Sequence, residues 1–129
     1  MSVSLMYEAR RATPLTAAEA AEVERIVNAR EASFPYPDEE SCFFYDAGDR
    51  APDAVLNGST KLPFRPGRLF PVIAHVLDTV TELRRALPTA QWSVSTDDVP
   101  VPWDETEGYA LAGMRDAELI AELSAIDEE

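Results

Sequence analysis

The chain has 129 residues, 46% hydrophobic and 27% charged, with a formal net charge of −13 at pH 7. This length and composition predict a single globular domain, residues 1–129, that folds without a metal ion or a disulfide. The excess of acid argues against binding nucleic acid through its phosphates and against docking on anionic lipid.

Neither the N-terminal sequence nor the longest apolar run predicts export or membrane insertion. The N-terminus, MSVSLMYEARR, lacks the basic start and apolar stretch of a secretory signal. The longest apolar run, LFPVIAHVL, is far shorter than the ~20 residues of a membrane span. We therefore expect a cytoplasmic protein.

The first elements in chain order are a strand and a helix. Residues 3–9 alternate between apolar and polar, which predicts a half-buried strand. Residues 16–30 predict a helix, because Thr16 and Glu19 have the spacing of a capping box. Pro35 then ends the helix.

Two strands are expected next. Residues 41–47, SCFFYDA, are apolar on both sides, which is typical of a central strand covered on both faces. Residues 54–62 predict another strand, with Leu56, Thr60 and Leu62 on one side.

The second half predicts a helix, a strand, an arm and a last helix. Residues 69–87 carry a continuous apolar stripe, and Pro71 fits the first turn of that helix. Residues 90–96 predict a strand. The prolines of VPVPW, residues 99–103, allow only an edge strand or an extended arm. Residues 114–126 predict the C-terminal helix.

This β-α-β-β-α-β order predicts an α+β, ferredoxin-like fold. We expect an antiparallel sheet with two helices on one face, followed by the extended arm and the C-terminal helix. The other face would need a cover, because Met6, Cys42 and Phe44 are too apolar for water. The candidates are the C-terminal helix and a second copy of the chain.

A basic segment interrupts the acidic chain. Residues 61–90 contain two acids and five bases, net +3, and include Lys61, Arg65 and Arg68 in the stretch GSTKLPFRPGRLF. The glycine spacing of a phosphate loop is missing. These side chains are either solvated or form an anion site at a helix start, for a carboxylate of a partner or of the chain itself more readily than for phosphate.

Acidic residues concentrate in the predicted arm, TDDVPVPWDETEG. It is either a solvated arm, a protein-binding arm with a tryptophan anchor, or an oxygen-ligand metal site, although EF-hand spacing is absent. The hypothesis adopted is protein binding, with no metal. Its residues are Asp97, Asp98, Trp103, Asp104, Glu105 and Glu107, with Tyr36 as a further candidate and Asp38, Glu39 and Glu40 nearby if the loops meet.

The chain is poorly equipped for catalysis. His75, the single histidine, shares a predicted polar helix face with Asp78, Thr79 and Glu82, where it is either a general base oriented by Asp78 or simply exposed. Cys42, the single cysteine, is expected to be a buried and inert thiol. An enzyme is therefore the weaker interpretation, and no cofactor is expected.

The sequence favours a small acidic protein-interaction module that binds a partner with a basic surface, as a bacterial inhibitor or immunity-type protein would. The alternative is a homodimer that encloses a small molecule between two sheets. A small hydrolase that uses carboxylates is a third and weaker hypothesis.

Overall fold

A computed structural model gives the architecture of the chain. It describes residues 4–37, 39, 43–44, 53–63, 66–96, 99–111 and 116–127. In chain order the elements are β1 Ser4–Arg10, α1 Ala17–Ala32, β2 Phe43–Phe44, β3 Ala54–Lys61, α2 Pro66–Ala86, β4 Gln91–Thr96, β5 Val99–Pro100, β6 Trp103–Asp104, β7 Gly108–Tyr109 and α3 Ala117–Asp127. The predicted α+β class is confirmed.

Within the described residues the main sheet has five strands in the order β2-β3-β1-β4-β5, and all neighbours are antiparallel. β6 and β7 form a separate two-stranded hairpin. β1 is the central strand, which fits its alternation of buried and exposed residues. β2 lies at the sheet edge, so the expectation of a central strand there was wrong. Its apolar sequence reflects the burial of Phe44, whose ring contacts Tyr7 edge-on at 5.3 Å.

One face of the sheet carries the core. Leu5, Tyr7 and Ala9 of β1 are almost completely buried. Leu5 and Tyr7 cluster with the middle of α2, and Ala9 clusters with α1 and the end of α2. Because these three side chains share one side of β1, α1 and α2 cover the same face. Burying a side chain such as that of Leu5 contributes roughly 1.5–3 kcal/mol.

The opposite face of the sheet is predominantly polar. By alternation it carries the side chains between the buried positions of the three long strands. We call it the open face: Ser4, Met6, Glu8 and Arg10 of β1, Asn57, Ser59 and Lys61 of β3, and Gln91, Ser93 and Ser95 of β4. Each of these residues is partly or fully exposed.

The start of α1 agrees with the prediction from the sequence, and the start of α2 differs from it. Thr16 caps α1 and forms the predicted capping box with Glu19. α2 starts at Pro66, a residue type favoured at the first helical position, and not at about Leu69. Pro71 therefore lies inside α2, beyond the first turn where it was expected.

α3 contacts α2. Asp116 precedes it and accepts hydrogen bonds from the backbone N–H groups of Glu118 and Leu119. The C-terminal helix therefore packs on the helical layer and not on the open face, where it was one candidate cover. In the described part of the chain, no helix combines the length and apolar character needed to cross a bilayer.

Candidate functional site

The part of the predicted acidic arm that the structure describes ends in a tight hairpin. We call residues 103–109 the acidic hairpin. Trp103 pairs with Tyr109 and Asp104 with Gly108. Asp104 Oδ1 accepts hydrogen bonds from the backbone N–H groups of Thr106 and Glu107, both at 2.8 Å. These two bonds lower the pKa of the Asp104 carboxyl, so this carboxylate fixes the turn.

Thr81 of α2 holds one strand of the hairpin. The Tyr109 N–H donates to Thr81 Oγ1 at 3.0 Å in a buried hydrogen bond. Gly108 has φ +80, a conformation that favours glycine. A Cβ at Gly108 would lie 2.3 Å from Thr81 Cγ2. Close backbone approach is thus what docks β7 on the helix.

Two arginines in the last turn of α2 contact both strands and the turn of the hairpin. The Arg84 guanidinium lies 4.0 Å from the centroid of the Trp103 ring and donates to the Tyr109 hydroxyl at 2.8 Å. Arg85 donates to the backbone oxygens of Glu105 and Thr106 at 3.4 and 3.2 Å. Burial raises the pKa of Tyr109, and the Arg84 hydrogen bond and charge oppose that rise.

Trp103 is therefore half-buried against the chain itself. One contact is the Arg84 stack, another is the edge-on Tyr109 ring at 5.0 Å, and its indole N–H donates to Glu105 Oε1 at 3.0 Å. A shallow cavity of about 290 Å³ lies beside it, lined by Arg84, Arg85, Pro88, Trp103 and Glu105. What the hairpin presents outward is its acids, since Asp104, Glu105 and Glu107 are exposed.

Tyr36 and Arg68, predicted at separate sites, come together. The Arg68 guanidinium lies 4.7 Å from the centroid of the Tyr36 ring and 3.4 Å from Glu39 Oε1. The Glu39 N–H donates to the Tyr36 backbone oxygen at 3.0 Å. Arg68 therefore binds a carboxylate of its own chain, one of the alternatives that the sequence left open.

The predicted anion site is only partly described. Lys61 belongs to the open face, whereas Arg68 lies in the first turn of α2 on the helix side, so the sheet separates these two residues. Other predicted residues lie outside the described part of the chain: Asp38, Glu40, Cys42, Arg65, Asp97 and Asp98.

His75 does not lie on an open polar face, as the helical pattern predicted. Its Nε2 is 3.1 Å from Ser33 Oγ, and its ring meets Phe34 edge-on at 5.1 Å. Nδ1 is buried and has no hydrogen-bond partner among the described residues. Burial lowers the pKa of His75, and the charge of Arg30 lowers it further, while a hydrogen bond to the Arg30 backbone and the charge of Asp78 oppose this shift. Thr79, which was expected beside His75 on the solvent-exposed face of the helix, is fully buried. α2 is packed on more sides than its apolar stripe indicates.

The arginines of the helical layer and sheet end are paired as well. The Arg11 guanidinium donates two hydrogen bonds of 2.8 Å to the Glu19 carboxylate. Hydrogen bonding to Arg11 is the main reason that the pKa of Glu19 falls to about 2. Arg10 pairs with Glu8 and Asp53. Arg25 pairs with Glu22, and Arg30 with Glu82. A second cavity, about 320 Å³, lies between Arg10, Arg11, Ala12, Asp53, Thr89 and Gln91.

Sequence reasoning missed the residues that build the hairpin site: Thr81, Arg84, Arg85 and Gly108. The signals were a glycine directly after a run of acids and two arginines in the last turn of a helix. Each has an ordinary explanation, a turn or a helix-dipole contact, so neither indicates the contact between them.

Comparison with known protein families, curated proteins and solved structures finds no match to this chain, so function is inferred from its own geometry and charge.

Proposed function

We propose that this chain is a small acidic protein-interaction module that binds a partner with a basic surface through the acidic hairpin. The observation that carries the proposal is the rigid mounting of this hairpin on α2. The hairpin is bound to α2 through Thr81, Arg84 and Arg85. Its residues Glu105 and Glu107 stay exposed to solvent. A preorganised charged surface binds with a smaller loss of conformational freedom than a mobile arm.

The distribution of charge supports the same proposal. Seven described arginines contact acids or aromatic rings of the chain itself: Arg10, Arg11, Arg25, Arg30, Arg68, Arg84 and Arg85. The positive charges of these seven arginines are thus engaged internally, and the whole chain has a net charge of −13. Such a field accelerates encounter with a basic partner.

The first test is capture by matched bait proteins. The hairpin variant is Glu105→Gln/Glu107→Lys, in which the amide introduced at position 105 keeps an oxygen for the Trp103 indole. The control is Glu24→Gln/Glu31→Lys, which makes the same charge change at two exposed positions of α1. Proteins that bind immobilised wild type at low salt and elute at high salt are identified by mass spectrometry.

We expect at least one basic protein to be retained by wild type and by the α1 control but lost, or reduced several-fold, on the hairpin variant. Equal loss from both variants would mean that only total charge matters. Equal retention by all three would show that the hairpin is not the binding surface. Either result rejects the proposal.

We also infer that the fold is ferredoxin-like. The order β1-α1-β2-β3-α2-β4 along the chain and the sheet order β2-β3-β1-β4 with antiparallel neighbours support this assignment. β5, the acidic hairpin and α3 are then additions after the βαββαβ unit. Function does not follow from this fold, which is why the proposal above rests on the site.

A further inference from the structure

The open face is a second surface that the acidic hairpin does not use. The hairpin docks on α2, and α2 packs on the opposite face of the sheet. Among the described residues no helix covers the open face, and Met6 stands at its centre with 51% of its surface exposed. Met6 lies on the central strand, and its neighbours across the strands are Ser59 and Ser95. A flexible apolar side chain is thus set between two small ones.

Charge distinguishes this face from the rest of the molecule. The open face contains one acid, Glu8, and two bases, Arg10 and Lys61, so its formal charge is +1. The whole chain carries −13. Two copies of so acidic a molecule repel each other over most of their surfaces. That repulsion is weak between two open faces, because the residues that define this face carry little net charge.

We propose that the open face binds a second copy of this chain, in a symmetric dimer with sheet against sheet and the two Met6 side chains at its centre. The two-fold axis would lie in the plane of contact, at right angles to the strands and beside Met6. The line of residues across the strands that contains Glu8 then lies over the line that contains Lys61 in the second copy. The Glu8 carboxylate, which already binds Arg10 of its own chain, then also faces a positively charged row of the second copy, and the symmetry of an isologous contact repeats this twice. Serine, asparagine and glutamine side chains around them supply hydrogen bonds across the contact.

The size of the face predicts a weak dimer. Three long strands about 4.8 Å apart and about six residues of about 3.4 Å each give a face of roughly 14 by 20 Å. This is smaller than the ~800 Å² per partner of a standard stable interface. We therefore expect reversible, concentration-dependent association in the micromolar range and not a permanent dimer.

The reason for the dimer differs from the one that the sequence offered. Phe44, expected on this face, packs into the core against Tyr7, and Cys42 lies outside the described residues. Met6 is the apolar residue of the original set that the structure leaves exposed on this face. This inference does not depend on the function proposed above, because the two surfaces lie on different sides of the sheet.

The test is analytical ultracentrifugation of the full chain from micromolar to several hundred micromolar at physiological salt. Wild type should shift from monomer towards dimer across this range. In the dimer, Met6→Lys would place two desolvated lysine side chains opposite each other at the centre of the contact. Ser93→Lys adds a charge at an exposed position of the same face. Each should raise the dimer dissociation constant roughly ten-fold or more. Circular dichroism checks that each variant is folded.

The matched control is Val99→Lys. Val99 is 61% exposed on the edge strand β5 and pairs with Thr96, outside the row of Met6. This variant should associate as wild type does. A wild type that stays monomeric at every concentration would overturn the proposal. So would a dimer that both Met6→Lys and Ser93→Lys leave intact, or one that Val99→Lys weakens as much as Met6→Lys.

Discussion

At the scale of single residues, His75 is the most informative side chain. It sits against Ser33 and Phe34 at the end of α1, and burial lowers its pKa. The unfolded chain therefore binds a proton at this site more tightly than the folded chain does. The stabilising effect of the neutral, packed imidazole is complete above the unfolded pKa of about 6.5 and is lost as the pH falls towards the lower folded value.

The prediction is that wild type loses more stability than His75→Asn when the pH is lowered from about 7.5 to about 5. Both proteins share the same carboxylates, so the difference between them isolates the histidine. Urea unfolding at each pH measures it. Parallel loss in the two proteins would show that His75 is as accessible to protons in the folded state as in the unfolded one.

Interactions between residues close together in the sequence were predicted correctly, and interactions between distant residues were not. The capping box of Thr16 and Glu19 depends on residues three apart, so the sequence contains the whole interaction. The environment of His75 depends on Ser33, 42 positions away. A helical pattern along α2 cannot reveal which neighbouring element covers a given side.

At the scale of elements, the acidic hairpin is the feature that links fold to function. Its strands have two residues each, too few to be stable alone. Contacts with Thr81, Arg84 and Arg85 of α2 supply the missing stability. The sequence predicted an extended arm here because such short strands have no periodicity to detect. The anchoring residues lie about twenty to thirty positions earlier in the chain.

Gly108→Ala tests this docking. The new methyl group would overlap Thr81, and the positive φ would be strained. Left-handed backbone costs roughly 1–2 kcal/mol and overpacking roughly 1–3 kcal/mol, so we expect a loss of about 2–4 kcal/mol in the free energy of unfolding. Chemical denaturation measures the loss.

A double-mutant cycle with Thr81→Ala supplies the control. Removing the Thr81 hydroxyl and methyl makes room for the new Cβ, so Gly108→Ala should cost less in that background than in wild type. Additive losses would mean that Gly108 and Thr81 do not contact each other, and the mounting of the hairpin would be wrong.

At the scale of the whole molecule, the distribution of charge links the fold to the proposed function. The sequence alone predicts the total of −13 and the basic segment between acidic ones. It does not predict that the arginines of that segment turn inward, Arg68 to Glu39 and Arg84 to Trp103. Those contacts join residues distant in sequence. They leave the hairpin acids exposed.

The central claim is that the acids of the hairpin guide a basic partner to this surface. Its most direct test is the association rate of the captured partner with wild type, the hairpin variant and the α1 control. We predict that at about 0.1 M salt, where screening extends over about 10 Å, the hairpin variant associates several-fold more slowly while the control stays close to wild type. The difference should vanish at high salt. Equal rates for all three proteins at low salt would contradict the account.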